Sequence, residues 1–293
     1  MKLLTLAIAA TLVASPAFAD STSSASLGSF SLRFFDLNPS DGVTPSITFQ
    51  TLLSPPYYGS ISHAALDPYN GRCCSDQYQE NYSATPWDPV AASVSTSLAW
   101  ATASLSGSTA FNPNNALLAA AGGSTARESP NPEDYVHYRA YAGSGSSLGL
   151  NSFGFTLSAN TMVMLYAVAT VSGSAQAGNN AYNHRDYAYA SANIGISGPG
   201  SSGNGYQQSS DGIGMETVAY PGDGRRSFND SKTLGASFVN LTGGDLSGYM
   251  SANADASGFS AAVVPEPDTY AMMLAGLGLL GFVARRRKQK LPA

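Results

Sequence analysis

The stretch YAYASANIGI, residues 187–196, decides how the rest of the chain is interpreted. From Ala188 to Ile196 its alanines and isoleucines fall on every second position, and Tyr187, Tyr189, Ser191 and Asn193 fall on the alternate positions. A period of two is that of a β-strand, whose successive side chains point to opposite faces of a sheet. The stretch therefore predicts a half-buried strand with small apolar residues inside and polar and aromatic residues outside.

Similar patterns recur along the chain. Phe30, Leu32 and Phe34 alternate with polar residues, and residues 161–171 (TMVMLYAVATV) are apolar on both faces. A run that is apolar on both faces is typical of a strand in the middle of a sheet. The further candidate strands are Ser46–Leu52, Val90–Leu98, Tyr135–Tyr141, Ser152–Leu157, Thr217–Tyr220 and Ser237–Leu241.

Clusters of Gly, Pro, Asn and Asp separate these candidates, for example at 38–42, 198–205 and 221–224. Such residues suit turns, because Gly, Asn and Asp tolerate positive φ and Pro presets φ. Many short strands without helical periodicity predict an all-β fold, an antiparallel β-sandwich. The Ala- and Ser-rich stretch 95–121 allows a helix or a loop instead. Residues 122–134 mark either a boundary between two lobes or a surface loop within one domain.

Residues 1–19 have the features of a secretory signal peptide. Lys2 precedes an apolar run from Leu3 to Val13, and the small residues Ala17 and Ala19 suit the peptidase pocket. The run is too short for a membrane helix, which needs about 20 apolar residues. We therefore expect signal peptidase to cleave after Ala19 and to leave an exported body over residues 20–263.

The composition of this body excludes some classes of function. Residues 20–264 contain 17 acidic and eight basic side chains, a formal charge of −9. So acidic a body has no general electrostatic affinity for nucleic acid. The chain is 43% apolar and 10% aromatic, unlike a disordered chain, and it is long enough to bury a sizeable core.

The metal-binding residue types are sparse. Cys73 and Cys74 are neighbours, so a bond between them closes no loop that constrains the fold. They are reduced, joined to each other, or paired between chains. His63, His137 and His184 are far apart, and no second Cys or His pair lies at zinc-ligand spacing. The sequence predicts no metal and no cofactor.

No residue is predicted to be catalytic. Residues 145–149 match the G-x-S-x-G pattern of a nucleophile elbow, which requires a strand, a sharp turn and a helix. Here the pattern lies in a Gly- and Ser-rich turn before a strand-like segment, where a chance match is expected.

One stripe of residues suggests ligand binding. If residues 135–141 are extended, Tyr135, His137, Arg139 and Tyr141 share a face. Aromatic faces and hydrogen-bonding edges suit the sugar rings of a polysaccharide. The alternative interpretation is that these four residues have no ligand and form the solvated outer face of a sandwich.

The C-terminal segment contains three features in order. The first is Val264, Pro265, Glu266 and Pro267, which we expect to be extended because proline fixes φ and lacks an amide donor. The uncharged residues 269–284 follow; as a helix they would span about 24 Å, against a hydrocarbon core of about 30 Å. The third is the cation cluster Arg285, Arg286, Arg287 and Lys288, which argues against a buried core helix and predicts a cytoplasmic end for a transmembrane helix.

Together these features resemble the PEP-CTERM sorting tail, which is also catalogued as the ice-binding protein C-terminal domain. The resemblance covers residues 264–288 and implies recognition by exosortase, a membrane-embedded processing enzyme of Gram-negative bacteria that make exopolysaccharide. It implies that residues 264–267 are the recognition motif, 269–284 a transient anchor and 285–288 a stop signal. The sequence shows no regular Thr-x-Thr array of the kind that a flat ice-binding face needs.

These observations lead to one leading expectation and one alternative. We expect a non-enzymatic, exported protein that is held at the inner membrane with its body in the periplasm. Exosortase then processes it for the cell surface or extracellular matrix, where it has a structural or adhesive role with exopolysaccharide as partner. The alternative is a secreted enzyme that acts on polysaccharide, with carboxylates that converge from distant positions.

Overall fold

A computed structural model describes residues 20–50, 60–67, 77–83, 85, 87–107, 113, 115–125, 135–144, 153–178, 184–261 and 275–279. Fourteen strands lie within these residues, and all the strand pairs among them are antiparallel. The predicted signal peptide, Cys73 and Cys74, the G-x-S-x-G match and the residues of the sorting motif and cation cluster lie outside the described residues. The prediction of an all-β antiparallel fold is confirmed.

Six strands form the first sheet, called sheet A. They are β1 (Asp20–Asp36), β5 (Val90–Ser95), β6 (Ala99–Ser106), β7 (Leu117–Thr125), β10 (Thr161–Gln176) and β13 (Arg226–Asn240). Their order across the sheet is β13-β10-β1-β7-β6-β5. The doubly apolar stretch 161–171 is thus in an interior strand, as its composition predicts, because β10 pairs with β1 and β13.

Eight strands form the second sheet, called sheet B. They are β2 (Ile47–Phe49), β3 (Ser60–Asp67), β4 (Gln77–Ser83), β8 (Tyr135–Ser144), β9 (Phe153–Leu157), β11 (Asp186–Pro199), β12 (Tyr206–Ala219) and β14 (Leu246–Ala261). Six of them run in the order β12-β11-β14-β8-β3-β4, while β9 pairs with β14 and with β2.

In the described part of the stretch 95–121, the alternative of a helix is wrong, and a loop is found only at residues 96–98, 107, 113 and 115–116. Elsewhere in this part β6 and the start of β7 are strands, and Ala99, Ala101 and Ala103 are buried while Trp100 and Thr102 are exposed. Alanine favours helix as an isolated residue, but tertiary packing of small side chains between two sheets overrides that preference. Residues 122–125 belong to β7.

A bulge in β1 changes which positions of the strand are buried, from odd-numbered residues before it to even-numbered residues after it. Ala25 and Leu27 are buried before it, and Phe30 is buried after it. Between them the pairing of β1 with β10 shifts register, and Ser29 has a φ of 53°. The extra residue turns Phe30 and Leu32 toward the core, whereas Phe34, predicted to share their face, is exposed.

The core lies between the two sheets and is lined largely by alanine. Fully buried alanines alternate along several strands, among them Ala188, Ala190, Ala192, Ala252, Ala254 and Ala256. Small side chains let the sheets approach closely, so hydroxyl groups reach across the interface. The Ser124 hydroxyl donates to that of Ser260 at 3.0 Å, and Ser23 donates to the Ser257 carbonyl at 3.2 Å.

Both flanks of the sandwich are closed by side chains of sheet B that bind the backbone of sheet A. On one flank, Gln207, Ser209 and Asp211 of β12 accept hydrogen bonds from amides of β13 at 3.1–3.2 Å. On the other flank, Gln79 accepts a hydrogen bond from the Ser93 amide at 2.7 Å, and Asn81 donates to the Ala91 carbonyl. The edge strands β13 and β5 therefore have partners without continuing the sheet.

Candidate functional site

The four residues predicted to share a face do so on β8. Tyr135, His137, Arg139 and Tyr141 alternate with the buried residues Val136, Tyr138 and Ala140. The inward set packs against sheet A, so the four candidates lie on the outer face of sheet B. Their role toward a ligand stays a prediction.

The strand register extends this stripe into a row of aromatic rings across three strands. Phe259 of β14 is paired with His137 on one side and with Tyr187 of β11 on the other. The ring centroids of Tyr135 and His137 are 4.4 Å apart, those of His137 and Phe259 5.0 Å, and those of Phe259 and Tyr187 5.7 Å. Tyr135, His137, Phe259 and Tyr187, here called the aromatic row, therefore form one continuous surface with all four side chains partly exposed.

A polar cluster lies beside the aromatic row. Its residues are neighbours across four adjacent strands. In order they are Asp255 of β14, Tyr141 of β8, His63 of β3 and Glu80 of β4. The Arg139 guanidinium lies 3.4 Å from a carboxylate oxygen of Asp255, and the two side chains are 57% and 15% exposed. Burial raises the pKa of Asp255, and the neighbouring guanidinium of Arg139 opposes that rise.

A glycine makes room for one of the predicted residues. A Cβ added at Gly143 would lie 2.5 Å from the hydroxyl oxygen of Tyr141, so this ring lies across the glycine. Tyr141 is consequently only 4% exposed, although it is on the outer face. It supports the surface rather than presenting a free ring to a ligand.

The electrostatics of this face are acidic. Burial lowers the pKa of both His137 and His63, so both imidazoles are uncharged at neutral pH. Pairing, contacts and charge interactions place four carboxylates here, those of Asp67, Glu80, Glu216 and Asp255. Among the described residues, the guanidiniums of Arg139 and of Arg185, whose charge acts on Tyr187, oppose them. Such a face repels anionic ligands and suits neutral ones.

Sequence reasoning missed half of the aromatic row. Phe259 is in β14, a strand that is not among the predicted ones, although Ala252, Ala254 and Ala256 alternate there with polar residues and could have indicated it. Tyr187 was predicted to point outward, but no local signal places it beside Phe259. Within the described residues no group of three His, Cys, Asp or Glu side chains could hold a metal ion.

The described part of the predicted transmembrane segment is short. Residues 275–279 are helical, with Leu277 and Leu279 exposed. Across the described residues, no helix has both the length and the apolar character needed to cross a membrane.

These features define a class, an antiparallel two-sheet β protein with an aromatic, acidic outer face. Comparison with family models adds one finding: residues 263–288 match the model of the PEP-CTERM protein-sorting motif. The chain therefore carries a PEP-CTERM sorting motif at these residues, as the sequence predicts. No curated protein and no solved structure matches the chain.

The motif implies where this protein goes. It implies export, membrane anchoring through the C-terminal tail and processing by an exosortase. The residues that the sequence assigns to recognition, 264–267, and to the stop signal, 285–288, lie within the matched range. Ala17 and Ala19, the predicted signal-cleavage residues, lie outside both the match and the described residues.

Proposed function

We propose that this chain is a structural or adhesive protein of the cell surface or extracellular matrix, and that the outer face of sheet B binds exopolysaccharide. Export and exosortase processing follow from the sorting motif. The observation that supports binding is the aromatic row, in which rings from three neighbouring strands lie in contact and are partly exposed.

A row of contacting rings on a sheet suits an extended sugar chain. The apolar faces of pyranose rings pack on aromatic side chains, and adjacent polar groups then orient their hydroxyls. Strands lie about 4.8 Å apart, so the three strands of the row span about 10 Å between the outer two. The exposed Arg139 guanidinium and the Ser257 hydroxyl border the row and offer hydrogen-bonding groups.

The acidic character of the face narrows the class of polysaccharide. Four carboxylates outnumber the guanidiniums of Arg139 and Arg185 and give the face a negative potential, which disfavours uronic-acid polymers and sulfated polymers. We infer that the ligand is a neutral exopolysaccharide.

The backbone spacing of one acidic pair on this face, Asp255 and Glu80, is wide for a pair of hydrolytic carboxylates. A glycosidase needs two carboxyl groups about 5–10 Å apart across the scissile bond. Asp255 and Glu80 lie in one row of paired residues but are three strand spacings apart, about 14 Å between their backbones.

Affinity electrophoresis of the processed protein tests this proposal. We expect a gel containing hydroxyethyl cellulose, a neutral glucan, to slow its migration, and a gel containing alginate to leave it unchanged. The double variant Tyr187→Ala, Phe259→Ala should bind the neutral glucan about tenfold more weakly, because each aromatic contact contributes about 0.5–1.5 kcal/mol.

Tyr206→Ala is the matched control, since Tyr206 is an exposed tyrosine at the opposite end of the sheet. It should retain the wild-type retardation. Equal retardation of the wild type and the double variant would show that the aromatic row is not the site. Release of reducing sugar by the wild type would favour the enzyme alternative.

A further inference from the structure

A fully buried carboxylate lies at the start of β11. Asp186 has no exposed surface, and one of its oxygens accepts a hydrogen bond from the Ala261 amide at 3.0 Å. Its other oxygen has no hydrogen-bond partner among the described residues. An unpaired buried carboxylate oxygen is costly, because that oxygen has lost its hydrogen bonds to water and gained none in exchange.

Asp20, the first residue of β1, lies at the same level of the sandwich. The Ser21 hydroxyl donates to the Tyr187 carbonyl at 2.5 Å, and Ser23 donates to the Ser257 carbonyl, which belongs to the residue paired with Tyr189. From residue 21 to residue 23, β1 therefore runs alongside β11 from 187 to 189. One residue earlier on each strand are Asp20 and Asp186.

Asp20 has an unpaired oxygen too. Its Oδ2 binds the Arg225 guanidinium at 2.5 Å, whereas its Oδ1 is buried without a hydrogen-bond partner in the described part of the chain. Two orphaned carboxylate oxygens therefore lie at one end of the sandwich. When both carboxylates are ionised, both oxygens are acceptors, and a donor with several protons, ideally a cation, would satisfy them.

We propose that removal of the signal peptide completes this site, with the new α-ammonium of Asp20 as the ion-pair partner of the Asp186 carboxylate. The proposal rests on the predicted cleavage after Ala19 and is independent of the glycan-binding function. Signal peptidase uses water to break the Ala19–Asp20 peptide bond, which leaves a carboxylate on Ala19 and a free amine on Asp20. The amine takes up a proton and then carries three donors, enough for both orphaned oxygens.

The charges around Asp186 predict how the ion pair between Asp186 and the α-ammonium of Asp20 changes the dependence of stability on pH. Burial raises the pKa of Asp186 to about 8; the Ala261 amide and the Ser260 hydroxyl oppose the rise, and the charge of Asp20 adds to it. Arg225 is bound to Asp20, and the chain neighbour Arg185 is exposed. Without an ammonium partner, Asp186 keeps its proton up to about pH 8 in the folded chain, whereas in the unfolded chain it loses the proton near pH 4. Stability then falls as the pH rises from about 4 to about 8.

An ammonium beside Asp186 removes that loss, because it favours the ionised carboxylate. The test compares the exported wild-type protein with a protein in which one alanine is inserted between Ala19 and Asp20. Mass spectrometry establishes the first residue of each product, and the insertion moves the ammonium by about 3.8 Å. At pH 7 we expect the insertion to lower the Tm by about 4 °C, and at pH 4 the difference should vanish.

The variant Asp186→Asn tests whether this carboxylate is the partner. In an Asp186→Asn background the insertion should no longer change the Tm. If that variant fails to fold, the pH dependence of acylation of the wild-type α-amine decides, since the ion pair should raise its pKa above the usual 7.7–8.0. Equal Tm values at pH 7, an unshifted amine pKa, or a mature protein that begins elsewhere than Asp20 would overturn the proposal.

Discussion

Tyr138 and two glycines show how single residues shape the interior of this protein. Tyr138 is 2% exposed, and its hydroxyl donates to that of Ser23 at 2.9 Å. A Cβ added at Gly122 would lie 2.2 Å from its ring, and one at Gly258 would lie 2.4 Å from its hydroxyl. The ring therefore occupies a slot that exists because both neighbours lack side chains.

The substitution Gly258→Ala tests this slot. The added methyl would also lie 2.4 Å from the Tyr187 carbonyl, which is backbone and cannot rotate away. We expect a loss of about 1–3 kcal/mol in the free energy of unfolding, measured by urea denaturation, because an overpacked core must shift its backbone. Gly243→Ala is the control, since nothing lies within 4 Å of its Cβ position; it should change stability by less than about 0.5 kcal/mol. Equal effects would contradict the slot.

At the scale of elements, the edge strands are satisfied by side chains rather than by more strands. Gln207 is the central example: its amide oxygen accepts from the Val239 amide at 3.1 Å, and its amide nitrogen donates to the Val239 carbonyl at 2.7 Å. Nearby, Asp211 accepts from the Gly235 amide, and a hydrogen bond from Lys232 lowers its pKa. These contacts remove the free backbone groups through which edge strands pair with other chains.

The substitution Gln207→Ala should expose that edge. Both backbone groups of Val239 lose their partner, so we expect a loss of about 1–3 kcal/mol and faster hydrogen exchange at the Val239 amide. Gln208→Ala is the matched control, because Gln208 is exposed and points to the opposite face. If both variants exchange alike at Val239, the side chain of Gln207 does not protect this edge.

At the scale of the whole molecule, the sorting motif predicts a change in the covalent chain. Exosortase processing should remove the cation cluster at 285–288, so mass spectrometry of released protein from wild-type cells should find no peptide that contains it. Cells that lack exosortase should retain the cluster. Glu266→Ala should behave like the loss of exosortase, because it alters the recognition motif, whereas Asp268→Ala outside that motif should be processed normally. A released wild-type protein that still contains 285–288 would contradict processing.

Some strands of the fold could be predicted from the sequence, and others were not predicted. Patterns such as 187–196 and 161–171 are visible because larger side chains mark their alternation. β14 was not predicted, although its inner alanines alternate with Asn253 and Asp255, so a period-two signal was present in the sequence. The site was half visible for a different reason: the stripe on β8 is local, but Phe259 is brought beside it by pairing with a strand more than a hundred residues away.

By itself the sequence determined the β class, the outward direction of Tyr187 and Tyr189, and the presence of a sorting motif. Each depends on residues that are close together in the chain, where backbone geometry alone sets the period and a linear motif can be recognised. Only the tertiary structure decided which strands are neighbours, and so joined His137 to Phe259 and placed Asp20 level with Asp186. The register between distant strands depends on how the two sheets pack as a whole, so it cannot be predicted from any local pattern of residues.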